Sequence, residues 1–201
     1  MKFFFRNVFL ILILGFPSIV SGKTFTNCGG DFSLFLKEAE EHATKLGISI
    51  EVLRKTIRQT KFNPKIIELD RKQRSFKLSF LDFSKRAIND YRLVNGKKKF
   101  QKFQDVFDEA FALYGVPKEV ITAFWAMETD FGAVQGDFNT LNSLASLASD
   151  CRRPELFQPE LIAALQLIER GDIDNDTTGA WAGEIGQVQM LPKDILEFGI
   201  D

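Results

Sequence analysis

The chain has 201 residues, 45% of them apolar, with 26 basic residues against 27 acidic and a net charge of −1. That length fits one domain, or one domain with a helical extension, and the apolar fraction can fill a sizeable core. A charge balance this close to neutral offers no field to gather nucleic acid or an anionic membrane surface, which excludes both as partners.

The first 22 residues read as a leader. Lys2 and Arg6 form a positive start, Val8 to Phe16 is almost wholly apolar, and Val20-Ser21-Gly22 places small residues for cleavage before Lys23. The apolar run is too short for a span, which needs roughly twenty residues. Thr26-Asn27-Cys28 makes a poor lipidation site, so the expected product is exported and carries no membrane anchor. In an oxidising compartment the single pair Cys28 and Cys151 is expected to form a disulfide. The one histidine, His42, stands beside Glu40 and Glu41 on a solvated face and receives no role.

The mature chain reads as all-α, because no period-2 alternation is sustained anywhere. Asp31 caps a helix carrying Phe32, Phe35, Leu36, Ala39 and Ala43, which Gly47 ends. Ser49 caps a second helix with Val52, Leu53 and Ile57, and Asn63-Pro64 starts a short third. The charged stretch Asp70 to Arg74 is expected to be a loop. Ser79-Phe80-Leu81-Asp82 resembles a capping box and opens a helix with Phe80, Phe83, Ala87 and Tyr91 on one face. Another follows with Phe100, Phe103, Phe107, Phe111 and Tyr114, ended by Gly115, with Lys97 to Lys99 as its solvated first turn.

Pro117 then opens a helix that runs towards Gly132. Ile121, Phe124 and Trp125 share a stripe whose next position is Glu128, so this carboxylate is expected to face the core. A buried carboxyl must be paired or protonated, and a carboxyl kept protonated among aromatics suits a general acid. Glu128 is therefore the leading catalytic candidate. Further on, Leu141, Leu144, Ala145 and Ala148 mark a helix. Pro159 starts another with Leu161, Ile162, Leu165 and Ile168, and Pro192 starts a last short one.

Asp172 to Asp176 has the D-x-D-x-D spacing of a calcium loop, but Thr177 and Gly183 replace the Gly and Glu such a loop needs, so it reads as a polar turn and no metal or other cofactor is expected. Gly179 to Pro192 combines glycines with Trp181, Gln187 and Gln189, a stacking face and amide groups suited to sugars. A glycosidase usually adds a second carboxylate. Asp130, two residues from Glu128, points to a different side of the helix, which leaves Glu184 and Asp137.

Phe124-Trp125-Ala126-Met127-Glu128-Thr129-Asp130-Phe131-Gly132 resembles the W-G-x-E-T-x-[FY]-G signature of the lytic murein transglycosylase B family, family 103 of the glycoside hydrolases. Ala180 to Pro192 resembles its second signature, and Leu141 to Phe157 the stretch between them. The resemblance implies a lysozyme-like helical catalytic domain acting on peptidoglycan glycan strands in the periplasm. Glu128 then matches a single catalytic glutamate, its carboxyl held well above the ordinary range, that cleaves the MurNAc–GlcNAc bond and leaves 1,6-anhydromuramoyl ends. Gln189 matches a cleft glutamine, Arg152 or Arg153 an arginine pair near the substrate, and Phe83 a cleft tyrosine, while Ala180 replaces a serine.

The implied limits are a leader at 1–22, an N-terminal helical region at 23–78 and an incomplete lysozyme-like domain at 79–201, with the family's metal loop and closing helices expected beyond Asp201. Two rival readings stand beside this one. One is a truncated, non-catalytic periplasmic module that binds glycan or a partner of cell-wall synthesis or division. The other is a lysozyme-type muramidase with a second carboxylate.

Overall fold

The computed structural model describes residues 24–72 and 78–199, so the leader at 1–22 lies outside the described residues. Ten helices and one short sheet are present among those described. They are α1 Phe32–Lys45, α2 Ile50–Gln59, α3 Pro64–Lys72, α4 Phe80–Ala87, α5 Asp90–Lys102, α6 Gln104–Tyr114, α7 Lys118–Thr129, β1 Phe138–Asn139, α8 Thr140–Ser149, α9 Pro154–Arg170, β2 Thr178–Gly179 and α10 Pro192–Phe198. The all-α expectation holds, apart from two residues of β1 paired antiparallel with two of β2.

The caps explain most of the boundaries. Asp31 and Ser49 each accept from a backbone N–H three residues on, Leu34 and Val52 respectively. Other boundaries correct the sequence reading. α3 continues through Asp70 to Lys72 instead of ending in a charged loop, because Asp70 is buried and ion-paired and so stabilises the last turn. The helix expected to carry both Phe80 and Tyr91 breaks at Ile88, where Asn89 caps a new helix by accepting from Arg92 N at 3.0 Å. The next one breaks at Phe103 (φ −121°, ψ 31°), which leaves Lys97 to Lys99 near the end of α5 and not in a first turn. Cations at a helix C-terminus are favoured by the helix dipole. α9 begins at Pro154, not Pro159; Pro154 itself takes a first-turn position, and Pro159 forfeits only a bond to the exposed first turn.

The core lies between α1–α3 on one side and α8–α9 on the other. Leu53, Ile66, Leu144, Leu161 and Leu165 are fully buried there, each stabilising the fold by about 1.5–3 kcal/mol. α8 is buried along almost its whole length, with Asn142 and Ser149 the partial exceptions. The segment before α1 is fastened to this core twice. Cys28 is disulfide-bonded to Cys151. The wholly buried Gln158 accepts from Phe25 N at 2.8 Å and donates to Thr26 O at 3.1 Å and Ala148 O at 3.3 Å.

The layer formed by α4 to α7 is different in kind. It buries little, and Phe80, Phe111, Tyr114 and Phe124 stand exposed on it. α7 packs on α5 through small residues: Thr122, Ala126 and Thr129 are its buried positions, and a side chain at Gly96 would meet Thr122 at 3.3 Å.

Candidate active site

That close packing settles which way Glu128 points. The buried stripe of α7 is Thr122, Ala126 and Thr129, so the aromatic stripe lies off the packing face. Phe124 is 62% exposed, and Glu128 is exposed. The expectation that Glu128 faces the core is overturned: small side chains line the approach of α5 and α7, while Phe124 and Glu128 lie exposed and Ile121 and Trp125 are only partly buried.

Glu128 nevertheless sits at the most strained part of the backbone. α7 ends one residue later, and Asp130 (φ 49°) and Phe131 (φ 63°) both adopt the left-handed conformation before Gly132. Gln189 (φ 53°) is the third non-glycine residue in that region among those described. Such residues cost of order 1–3 kcal/mol each and gather at functional sites. Specific contacts hold them here. Arg92 Nε donates to Asp130 at 2.6 Å, and the Phe131 ring meets Trp125 edge-on at 5.6 Å.

The glycine-rich segment from Gly179 to Leu191 is stapled onto the end of α7. Trp125 Nε1 donates to Gln187 Oε1 at 2.7 Å, and Thr129 Oγ1 donates to the Gln187 carbonyl at 2.5 Å. Gly132 is required here, since a Cβ would meet Gln187 Oε1 at 2.6 Å. Gly183 (φ 97°) likewise leaves no room for a side chain over Leu144. A bridge between Ile185 and Met190 closes the segment on itself. Gln189 Nε2 donates to Gln135 O at 3.2 Å and Gly186 O at 3.0 Å. Trp181 is half-buried against the main core, with its ring used in packing.

Two carboxylates were candidates to stand beside Glu128. Asp137 is exposed next to β1. Glu184 is half-buried, and its Oε2 is shielded from water with no hydrogen-bond partner. Burial pushes the Glu184 carboxyl above its ordinary value, the negative charge of Glu128 adds to the rise, and Arg153 opposes it. Glu128, Glu184 and Arg153 thus share one electrostatic neighbourhood.

Arg153 and Arg152 are held from below by Asp70, whose side chain is 1% exposed. Arg152 approaches it at 2.5 Å, Arg153 bonds to it directly, and Arg71 lies at 3.1 Å while also gripping Asp150 at 2.7 Å. Burial alone would raise the Asp70 carboxyl, but its bonds to Arg152 and Arg153 outweigh that and hold it below the usual carboxylate range. Phe83 is on α4, 47% exposed.

Asp70 and Arg92 were not singled out from the sequence, and Trp125 and Thr129 stood there only as neighbours of Glu128 in its helix and signature, without their bonds to Gln187. Among the described residues no group of three or more His, Cys, Asp or Glu converges to hold a metal ion, and Asp172 of the D-x-D-x-D stretch pairs with Arg170 at 2.8 Å.

The family described as Transglycosylase SLT domain matches residues 31–201. Membrane-bound lytic murein transglycosylase B of Escherichia coli (strain K12) is 31% identical over 126 residues, covering 61% of this chain and 35% of that protein. SltB3 of Pseudomonas aeruginosa, solved in complex with NAG-NAM-pentapeptide, superposes with a TM-score of 0.81 at 28% identity, over 86% of this chain and 46% of that one. Slt35, a lytic transglycosylase of Escherichia coli solved with bulgecin A, gives 0.76 at 27% identity, over 87% and 57%. The chain thus spans between about a third and somewhat over half the length of these relatives. No helix among the described residues is long and apolar enough to cross a membrane. The helical fold matches those lytic transglycosylases, and the chain belongs to the transglycosylase SLT domain family.

Proposed function

We propose that this chain is a peptidoglycan lytic transglycosylase in which Glu128 is the single general acid and base, delivered to the periplasm by its leader at 1–22. Glu128 protonates the oxygen that links N-acetylmuramic acid to N-acetylglucosamine, and the C1–O bond breaks. The resulting carboxylate takes the proton of the muramoyl 6-hydroxyl, and O6 bonds to C1. No water is consumed, one 1,6-anhydromuramoyl end forms, and Glu128 returns to its starting state. General acid–base catalysis of this kind contributes typically 10²–10⁴-fold.

The observation that carries this reading is the convergence at Glu128. The carboxyl projects from the strained end of α7, beside a glycine-rich segment stapled there by Trp125 and Thr129. Arg153 shares the electrostatic neighbourhood of Glu128 and Glu184, Phe124 supplies an exposed ring on α7, and this reading assigns Arg152, Gln189 and Phe83 to the substrate. A second reading is favoured by the exposed aromatic layer α4 to α7, which suits glycan binding without cleavage.

Digestion of purified murein sacculi, followed by mass spectrometry of the released muropeptides, separates the readings. Anhydro ends that fall by at least a hundredfold in Glu128→Gln are the expected result. Reducing ends would point to a muramidase, and sacculus binding with no release would leave a binding module.

A further inference from the structure

The face that α5 turns towards α7 carries Arg92, Gly96 and Lys99, a stripe at i, i+4 and i+7. Gly96 allows the close approach, and the two cations on either side of it reach different parts of the end of α7. Lys99 Nζ lies 4.5 Å from the centroid of the Trp125 ring and 5.7 Å from that of Phe131. Arg92 goes to the backbone reversal itself. Its Nε donates to Asp130 Oδ1 at 2.6 Å, and its Nη1 donates to Ala87 O at 3.1 Å, a carbonyl that the end of α4 leaves without a helical partner. Its own backbone is fixed by the Asn89 cap of α5. One side chain therefore ties the ends of α4 and α7 to the first turn of α5.

What this side chain holds is an uncommon piece of backbone. Glycine usually takes the left-handed position after a helix, because it has no Cβ to clash. Here Asp130 and then Phe131 take it in succession. Aspartate visits that region as a single residue, but a bulky aromatic there persists only where its surroundings enforce it. Asp130 N donates to Ala126 O at 3.0 Å and Phe131 N to Trp125 O at 3.2 Å, so the reversal closes directly over the last turn of α7. Glu128 is in that turn, two residues before Asp130. Its direction is fixed only while the helix stops at Thr129. If Asp130 and Phe131 relaxed to ordinary dihedrals, the last turn would lengthen or unwind and the carboxyl would move with it. The pair that resists this is well shielded, with Arg92 19% and Asp130 34% exposed.

We propose that Arg92 is a positioning residue for Glu128, acting by holding the left-handed turn at Asp130 and Phe131 that ends α7. The proposal rests on Glu128 being the general acid and base. Arg92 touches no reacting atom. A guanidinium suits the task, because its rigid fork reaches a carboxylate and a carbonyl at once. Its effect on the reaction is geometric, and a misplacement of about 1 Å at a reacting group can cost a hundredfold in rate. Binding of the glycan depends on the rest of the cleft, so the loss of Arg92 falls on kcat and leaves KM nearly unchanged.

The test measures kcat and KM for release of anhydro ends from soluble glycan strands, alongside the Cα and Cβ chemical shifts of Phe131 in isotope-labelled protein. Arg92→Met is expected to lower kcat roughly tenfold or more with KM within about threefold. Asp130→Ala, which removes the carboxylate and disfavours the left-handed turn, should do the same. Asp130→Gly and Arg92→Met/Asp130→Gly also lack the ion pair, but glycine holds the turn without strain, so both should recover kcat to within about threefold of wild type. Lost stability alone predicts no such rescue. A loss carried by KM, an unchanged kcat in Arg92→Met, or glycine variants as slow as Asp130→Ala would each overturn the proposal. The Phe131 shifts report the turn without reference to activity. They should leave their left-handed values in Arg92→Met and Asp130→Ala and return to them in the glycine variants, and shifts that stay in place in Arg92→Met overturn the proposal. If the wild-type chain releases nothing from glycan, the reading of Glu128 falls by itself, and the shifts still decide whether Arg92 holds the turn.

Discussion

Asp70→Asn removes one charge and almost no volume, from a carboxyl whose side chain is 1% exposed and which contacts three arginines. Removing one member of a buried pair typically costs about 3–5 kcal/mol, because the other charge is left uncompensated. The arginines are 48%, 37% and 30% exposed, so water recovers part of that loss. The expected destabilisation is about 2–3 kcal/mol after that screening. With a urea slope of about 2 kcal/mol/M, the unfolding midpoint falls by about 1–1.5 M at pH 7. The sign with pH follows from the depressed Asp70 carboxyl: its stabilisation is present above the unfolded value, about 3.9, and is lost as pH falls through the folded value. The gap between wild type and Asp70→Asn should therefore close as urea titrations are repeated from pH 6 down to pH 3. Equal midpoints at pH 7, or a gap that widens in acid, would refute the view that Asp70 holds up the arginine pair through its charge.

Replacing both cysteines in Cys28→Ser/Cys151→Ser opens a loop with a sequence separation of 123; loop entropy puts the upper limit near 5 kcal/mol. A fall in Tm of about 4–20 °C is expected, and one under about 3 °C would contradict a tethering role for the bridge. Gln187→Leu loses the Trp125 bond but keeps the Thr129 bond to its carbonyl, so it should cost about 1 kcal/mol or less in stability yet lower muropeptide release at least tenfold, read as kcat/KM on soluble glycan strands. Glu184→Gln should leave anhydro ends as the product; their replacement by reducing ends, or loss of all product in a folded variant, would give Glu184 a chemical role.

The sequence made the α1–α3 and α8–α9 half of the fold legible, because its caps and apolar spacing agree. Asp31, Ser49 and the run Leu141, Leu144, Ala145, Ala148 each point to one answer, and the structure gives that answer. The α4 to α7 layer was less legible. A continuous phenylalanine pattern hid the breaks at Ile88 and Phe103, and those phenylalanines do not all face inward. The same ambiguity misplaced Glu128. Helical spacing finds a stripe but does not say which stripe packs, and here close approach of α5 selected Thr122 and Ala126 over the aromatics. The roles of Asp70, Arg92 and Trp125 were invisible for a different reason: each acts on a partner more than 35 residues away.

On the function proposed above, the exposure of Glu128 leaves Glu184 as the group that separates the two cleavage chemistries. A muramidase needs its second carboxylate ionised, to act as nucleophile or to activate water. Glu184 is placed against that requirement. Burial and the charge of Glu128 push its carboxyl upward, a backbone hydrogen bond and Arg153 oppose them, and one of its oxygens is closed off from water. In the proposed function the nucleophile is the substrate's own hydroxyl, and that reaction asks for no more than one ionisable acid. A shielded oxygen and a raised carboxyl make Glu184 a weaker candidate for the muramidase role than a solvated carboxylate, and Glu184→Gln tests it.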